Sequence, residues 1–285
     1  MIPPSHVVAT PSALPRELSH PAPARPLGER IGGSTGGAVT PAASHYVLRL
    51  ARNPDEIREA QALRYRVFNL ELREGLAASH LTGLDADPFD PLCDHLLVEH
   101  LPSARIIGTY RLQTGTAAAR PGHLGYYSAQ EFNFAPFEPL RPRLVELGRA
   151  CVEAPHRNLI VLGLLWKGIA RYAHDHRARY LIGCSSLTSQ NPAVGASAYN
   201  DLIRRHLAPH PWRTLPLPAY DCPLHTLAPE DEAPPLPKLL RAYLSLGAKI
   251  CGPPALDRHF QTIDFLTLLD LDSLSPQVRQ KFFGE

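Results

Sequence analysis

Residues 144–152 read Leu-Val-Glu-Leu-Gly-Arg-Ala-Cys-Val, an apolar run of strand length that carries one acid, Glu146, and one base, Arg149. Because successive side chains of a strand point to opposite faces, Glu146 and Arg149 cannot share a face of a regular strand. Gly148 lies between them and permits a bulge, in which one extra residue redirects the side chains that follow. A charged pair in a core strand is costly unless it is paired or used. The segment is therefore either a buried structural ion pair or part of a functional site.

The sequence around this strand predicts one mixed α/β domain over residues 45–285. Apolar alternation or short apolar runs predict strands, and apolar spacing of three and four residues predicts helices. The predicted strands are 45–51, 95–100, 105–114, 144–152, 179–186 and 262–271, and the predicted helices begin near residues 54, 159, 192 and 237. Residues 115–143 show little periodicity and predict a long loop. Residues 1–44, rich in Pro, Ala, Gly and Ser, predict a disordered tail because they carry little apolar surface to bury.

The first predicted helix carries a misplaced charge. Asn53, Pro54 and the acids that follow are typical of a helix start. Arg64 lies on the same helical stripe as the apolar residues Ala60 and Phe68. A buried arginine needs a carboxylate or a ligand, so Arg64 is a candidate for either.

An acidic loop follows this helix. Residues 84–94 read Leu-Asp-Ala-Asp-Pro-Phe-Asp-Pro-Leu-Cys-Asp, which does not match a calcium-binding loop. Its aspartates are either solvated, paired with Arg64, or placed to hold a cationic substrate. Arg111, inside the predicted strand 105–114, is a further candidate for an inward cation.

Composition excludes several classes of protein. The chain of 285 residues has a formal net charge of +2 and is 44% hydrophobic, which is ordinary for a soluble globular protein and does not favour nucleic-acid binding. Five cysteines with no Cys-x-x-Cys spacing predict no metal site and fit a reducing cytoplasm. Neither a signal peptide nor an apolar stretch near the roughly 18 to 20 residues of a spanning helix is apparent, so membrane contact would be peripheral.

Motifs for common enzyme classes are also missing. The chain has no Gly-x-Ser-x-Gly elbow, no phosphate-binding Gly-x-x-x-x-Gly-Lys loop, no Gly-x-Gly-x-x-Gly and no His-Glu-x-x-His zinc helix. Paired arginines and carboxylates around one strand that favours a bulge remain as the chemistry to explain.

Four motifs in chain order resemble acyl-homoserine-lactone synthases, a branch of the GNAT-like acyltransferases. They are Arg64-x-x-x-Phe68, Asp85-x-Asp87-x-x-Asp90, Gly108-x-x-Arg111-Leu112 and Glu146-x-x-Arg149. The stretches 145–152, 158–166 and 247–255, with Thr-Ile-Asp-Phe at 262–265, are more similar to the ornithine-lipid N-acyltransferases, often labelled hemolysin-like. The resemblance runs from residue 45 to about 275 and implies a GNAT-like mixed sheet flanked by helices.

The resemblance also implies a reaction. A 3-hydroxy fatty acyl chain would pass from acyl carrier protein to the α-amine of L-ornithine and give lyso-ornithine lipid, the first step of ornithine lipid biosynthesis, with no cofactor. An arginine suits the substrate carboxylate and an aspartate suits the distal ammonium. The attacking amine must lose a proton, and Glu146 is the expected base. The thioester oxyanion would bind backbone N–H groups near the bulge.

Residue roles carried over from the family complete the prediction. Glu146 and Arg149 are the predicted catalytic residues. The predicted substrate-binding residues are Arg64, Phe68, Asp85, Asp87, Asp90 and Arg111, and the predicted thioester-binding strand comprises Gly148, Ala150, Cys151 and Val152.

The expected donor follows from a missing motif. Users of acetyl-CoA hold its pyrophosphate in an Arg/Gln-x-x-Gly-x-Gly/Ala loop at a helix start, and residues 153–163 lack that pattern. We therefore expect acyl carrier protein as the partner, met by the basic residues Arg157, Lys167, Arg171, Arg177 and Arg179. The alternatives are a homoserine-lactone-type synthase, another amino-acid N-acyltransferase, or an inactive GNAT-fold module that binds lipid or carrier protein.

Overall fold

A mixed sheet of eight strands forms the centre of the computed structural model, which describes residues 45–224 and 235–283. The strands are β1 Tyr46–Leu50, β2 Asp94–His100, β3 Arg105–Thr114, β4 Leu144–Val152, β5 Tyr180–Leu187, β6 Lys249–Ile250, β7 Ala255–Asp257 and β8 Thr262–Asp270. They lie in the order β1-β2-β3-β4-β5-β8-β6, with β7 also beside β8. β4 and β5 are parallel, and the other pairs are antiparallel. The predicted tail, residues 1–44, lies outside the described residues.

Helices cover both faces of the sheet. The α-helices are α1 Pro54–Tyr65, α2 Ser79–Thr82, α3 Gly115–Ala118, α4 Leu159–Asp175, α5 Pro192–His206, α6 Lys238–Ser245 and α7 Pro276–Phe283. Strand β2 shows the two layers, because Leu97 packs with Leu63 of α1 whereas Leu96 and Val98 pack with Leu165 of α4. Successive strand residues point to opposite faces, so α1 and α4 lie on opposite sides. Within the described ranges, no helix is long and apolar enough to cross a bilayer.

β4 and β5 separate after a short paired stretch. Their register pairs Leu144 with Tyr180, Val145 with Leu181 and Glu146 with Ile182, and no later pairs form. The strands still touch at the fork, where a Cβ on Gly183 would lie 2.2 Å from the Leu147 carbonyl oxygen. A side chain there would push the two strands apart, so this glycine lets them stay in contact at the base of the fork.

The expected bulge in β4 is present. Opposite β3, Gly148 pairs with Arg111 and Cys151 with Thr109, so Arg149 and Ala150 together face one residue. Arg149 adopts the left-handed conformation with φ 47°, which is uncommon for a residue with a Cβ. The extra residue turns Arg149 to the side of Glu146, which resolves the conflict between their spacing and a regular strand.

Most predicted elements are confirmed. Asn53, Asn158 and Asn191 cap α1, α4 and α5 with their side chains, as asparagine does at helix starts. The elements that were not predicted are the short strands β6 and β7, the helices α2, α3 and α7, and a π-helical turn, Arg66–Leu72. The excursion 115–143 contains 3₁₀ turns at Tyr127–Gln130 and Ala135–Arg143, and its aromatic residues form part of the core.

Candidate active site

Arg64 is fully buried and neutralised by two aspartates of the acidic loop. Its Nη1 and Nη2 donate to the two carboxylate oxygens of Asp90 at 2.9 and 2.6 Å, and its Nε lies 2.9 Å from Asp85 Oδ2. Gln61 donates a further hydrogen bond of 2.9 Å to Asp90. Burial opposes ionisation of Asp90, but the hydrogen bonds and charge of Arg64 outweigh it and lower the pKa of this carboxyl.

Two more arginines close the same network. Arg111 Nη1 lies 2.6 Å from Asp87 Oδ1 and 3.0 Å from Asp90 Oδ1. Arg149 contacts Asp85 Oδ2 at 3.3 Å and Asp87 Oδ2 at 3.1 Å. Three positive and three negative side chains therefore balance each other. We call Arg64, Arg111, Arg149, Asp85, Asp87 and Asp90 the Arg–Asp cluster.

The cluster shows that the aspartates of the acidic loop are paired with arginines rather than solvated. The acidic loop pairs with Arg64, and the same aspartates also pair with Arg111 and Arg149. Their direct contact with a substrate stays a prediction.

Aromatic rings hold Arg149 from the other side. Its guanidinium lies 4.6 Å from the ring centre of Tyr127 and 4.3 Å from that of Phe260. Phe68 packs edge-on against Phe260 at 5.3 Å. A guanidinium over aromatic faces gains cation–π attraction and loses rotational freedom, so Arg149 is held in one orientation.

Glu146 is buried and faces a turn of the excursion. It accepts hydrogen bonds from the backbone N–H groups of Tyr127 and Ser128, both at 2.8 Å, and from Ser128 Oγ at 2.7 Å. Burial raises the pKa of Glu146, and these hydrogen bonds reduce the rise. A carboxylate has about four acceptor sites, so Glu146 can still take one more donor.

A cavity of about 240 Å³ opens where β4 and β5 separate. Of the predicted site residues, its wall includes Phe68, Arg111, Glu146, Gly148, Arg149 and Ala150. The others lie behind the wall: Arg64, Asp85, Asp87 and Asp90 within the Arg–Asp cluster, and Cys151 in the core beneath α1. Val152 packs against Gly108. The structure thus brings half of the predicted set directly to one cavity.

Sequence reasoning missed several polar residues of this cavity. Gln113 is opposite Glu146 on β3, lines the cavity and is 2% exposed, and neither its amide oxygen nor its nitrogen has a partner among the described residues. Ser128, Glu74 and Asp264 also line it. A polar residue in the apolar strand 105–114 was the available signal for Gln113. No local pattern marks the other three.

Comparison with known proteins places the chain in a family. A family model described as an acetyltransferase (GNAT) domain matches residues 63–167. An L-ornithine N(alpha)-acyltransferase of Agrobacterium fabrum strain C58 is 36% identical over 251 residues, which covers 83% of this chain and 85% of the relative. A Brucella abortus strain 2308 protein of the same name is 35% identical and covers 80% and 85%. The chain belongs to the L-ornithine N(alpha)-acyltransferase family.

The family membership confirms the predicted resemblance and the GNAT-like fold class. Among solved structures, the AHL synthase LasI matches with a TM-score of 0.47 and 14% identity, covering 84% of this chain and 95% of its own. FeeM, an N-acyl amino acid synthase from uncultured soil microbes, matches with a TM-score of 0.45 and 14% identity over 80% and 92%.

Proposed function

We propose that this protein transfers a 3-hydroxy fatty acyl chain from acyl carrier protein to the α-amine of L-ornithine and so makes lyso-ornithine lipid. The observation that carries the proposal is the cavity at the β4–β5 fork, with a buried carboxylate, Glu146, and an oriented arginine, Arg149, on one wall. The names of the relatives support ornithine as the acceptor.

Glu146 acts as the base. The α-ammonium of ornithine must lose a proton before its nitrogen can attack the thioester carbonyl. Burial raises the pKa of Glu146 and makes its carboxylate a better proton acceptor. The nitrogen then bonds to the carbonyl carbon, and the C–S bond breaks. The nitrogen loses a second proton as the amide forms. Of the two protons released, one converts the leaving thiolate to the free thiol of the pantetheine arm, and the other passes from Glu146 to water.

Arg111 binds the substrate carboxylate. It lines the cavity, and its buried Nη2 has no hydrogen-bond partner within the described ranges, although its Nη1 is held by Asp87 and Asp90. Those two aspartates fix the guanidinium so that Nη2 is offered to the cavity in one direction. A charge-assisted hydrogen bond to a carboxylate would satisfy that donor.

Apolar space for an acyl chain continues from the fork. A second small cavity shares Leu147, Cys184 and Tyr243 with the first. A third shares Trp166, Leu181 and Leu269 with the second and reaches the residues of α7. Because each cavity shares a wall with the next, rearranged side chains could open a continuous path for a long chain.

The start of α4 supports a carrier-protein donor over CoA. Free N–H groups at a helix start are what binds a pyrophosphate. Here Asn158 Oδ1 already accepts hydrogen bonds from the N–H groups of Ile160 and Val161, both at 3.0 Å. A pantetheine arm on a carrier protein has no pyrophosphate and does not need these groups. Of the basic residues expected to meet the carrier, Arg157 pairs with Glu71 and Arg171 with Asp175.

The test is a product assay. Purified protein would be incubated with 3-hydroxyacyl carrier protein and L-ornithine, and the products identified by mass spectrometry. Parallel reactions would replace the donor with 3-hydroxyacyl-CoA or the acceptor with S-adenosylmethionine. We expect N-acylornithine from the carrier-protein donor. No acylated ornithine from either donor would overturn the proposal, and product from the CoA thioester alone would overturn the assignment of the donor.

A further inference from the structure

A second group of buried acids lies across the cavity from Arg111. Glu131 and Asp264 are 1% and 4% exposed, and one carboxylate oxygen of each and the Cys184 sulfur lie within 4.8 Å of one another. Asp264 lines the cavity from β8. Glu74 lines the same cavity and is held by the Thr188 hydroxyl at 2.6 Å. We call Glu74, Glu131 and Asp264 the acidic pocket.

The acidic pocket has no basic partner. The arginines of the cavity wall, Arg111 and Arg149, make their ion pairs with the aspartates of the Arg–Asp cluster. Among the residues described by the structure, no lysine or arginine forms an ion pair with a member of the acidic pocket. Uncompensated buried carboxylates are costly, so they either stay protonated or await a cation.

Unsatisfied polar atoms surround the acidic pocket. Glu131 Oε1 and Asp264 Oδ1 are buried without a hydrogen-bond partner within the described ranges. The hydroxyl of Thr262 is fully buried beside Asp264 and interacts with its carboxylate. Thr262 precedes Asp264 by two residues on β8 and therefore shares its face. The amide of Gln113, on the wall of the same cavity, is unpartnered as well. Such groups are rare in folded proteins and indicate a bound partner that supplies the missing contacts.

We propose that the acidic pocket binds the side-chain ammonium of the acceptor and so selects an amino acid with a second, distal amine. This inference rests on the function proposed above and names the part of the site that chooses the acceptor. A primary ammonium brings one positive charge and three N–H donors, which suits a group of carboxylate oxygens.

The position of the acidic pocket relative to Glu146 fits one extended acceptor. Ser128 Oγ donates to Glu146, and Cys184 Sγ lies 3.6 Å from both Ser128 Oγ and Glu131 Oε2. Only two small side chains thus separate the proposed base from the acidic pocket. In the proposed arrangement, the α-amine of the acceptor lies at Glu146 and its distal ammonium lies at the acidic pocket.

The pKa values of these acids agree with a site that favours a cation. Burial and the neighbouring carboxyls raise the pKa values of Glu131 and Asp264, and burial raises that of Glu74 to about 7. Burial also raises the pKa of the Cys184 thiol, so the sulfur beside these acids is protonated and adds no negative charge of its own.

Acceptor discrimination is the test. L-norvaline has the carbon skeleton of ornithine but no distal amine, so the ratio of kcat/KM for the two acceptors isolates the ammonium contact. In wild-type protein we expect strong preference for ornithine. In Asp264→Asn and Glu131→Gln we expect the ornithine kcat/KM to fall roughly 10- to 100-fold, the usual effect of a hydrogen bond to a charged group, with norvaline almost unchanged.

Asp257→Asn is the matched control. Asp257 is buried nearby, but its carboxylate accepts backbone hydrogen bonds from His259 and Phe260 at 2.8 and 2.9 Å. This substitution should lower kcat/KM for ornithine and for norvaline by the same factor. The same equal loss in Asp264→Asn would overturn the inference.

Two further measurements do not depend on the variants. Wild-type protein that acylates norvaline or Nδ-acetylornithine as well as ornithine would overturn the ammonium site while leaving the proposed function intact. Activity abolished by EDTA and restored by Mn²⁺ or Zn²⁺ would assign the acidic pocket to a metal instead. No acylation of any amine by wild-type protein would remove the proposed function itself.

Discussion

The Arg–Asp cluster and the acidic pocket are both built from buried charged side chains around one cavity, but they differ in charge balance. In the Arg–Asp cluster three arginines meet three aspartates, and every aspartate has a basic partner. In the acidic pocket, Glu74, Glu131 and Asp264 form no ion pair with a lysine or arginine among the described residues. A balanced cluster holds its own groups in place, whereas an unbalanced one is complete only with a cation bound. This difference in charge balance indicates that the Arg–Asp cluster holds the site together, whereas the acidic pocket selects the acceptor.

Breaking the Arg–Asp cluster should have the largest effect. Arg64→Ala leaves Asp85 and Asp90 buried without their principal partner and opens a void in a fully buried position. We expect a loss of about 3–5 kcal/mol in the free energy of unfolding, measured by urea denaturation. The control is Arg52→Ala, because Arg52 is largely exposed and pairs with Glu56 at the surface. Equal, small losses in both variants would contradict a structural role for the cluster.

Glu146→Gln should have the next largest effect, on catalysis. The amide cannot take the proton of the attacking amine, so kcat should fall about 10²- to 10⁴-fold. Part of the hydrogen bonding to Tyr127 and Ser128 is also lost, so a small decrease in thermal stability is expected. Stopped-flow or mass-spectrometric turnover measures kcat. A stability loss with unchanged kcat would show that Glu146 only anchors the excursion.

Arg111→Lys should mainly weaken acceptor binding. A lysine keeps the charge beside Asp87 and Asp90 but offers no second nitrogen in the direction of Nη2. We expect KM for ornithine to rise about tenfold with a smaller change in kcat. Arg141→Lys, at a surface pair with Glu138, is the control. A KM that stays at the wild-type value would move the carboxylate site away from Arg111.

The two clusters also differ in how far the sequence could predict them. Arg64 was marked by its place on an apolar helical stripe, and Arg149 by its place in an apolar strand beside Gly148. Both signals are local. The contact between Asp85 and Arg149 depends on how a loop folds over β4, which no spacing rule provides. Glu131 and Asp264 come from an irregular excursion and an ordinary apolar strand, and only the sheet order brings them together. The left-handed backbone of Arg149 could not be predicted either, because the left-handed position of a bulge is commonly occupied by glycine.

The smallest expected effect is also the sharpest test of the comparison, because the two clusters should respond to pH with opposite signs. In the Arg–Asp cluster, Arg64 lowers the pKa of Asp90 despite burial. Ionised Asp90 therefore adds to the free energy of unfolding above the pKa that Asp90 has in the unfolded chain, and this contribution is lost as pH falls. Burial raises the pKa of Glu74 to about 7, which means that the folded state holds a proton that the unfolded state has released. The contribution of protonated Glu74 to the free energy of unfolding therefore disappears as pH rises from about 4.5 to 7.

Glu74→Gln should accordingly stabilise the ligand-free protein at pH 8 by about 1–2 kcal/mol and leave it nearly unchanged at pH 4.5. The substitution keeps an oxygen for the Thr188 hydroxyl and removes a negative charge that faces Asp264 and, at longer range, Arg149. Urea denaturation at the two pH values measures the effect, with Glu138→Gln as the surface control. Saturating ornithine should reverse the gain, because the bound ammonium stabilises the wild-type carboxylate and not the amide. A variant that is less stable than wild type at pH 8 would mean that Glu74 is already balanced by Arg149, and that the acidic pocket is not short of a cation at this position.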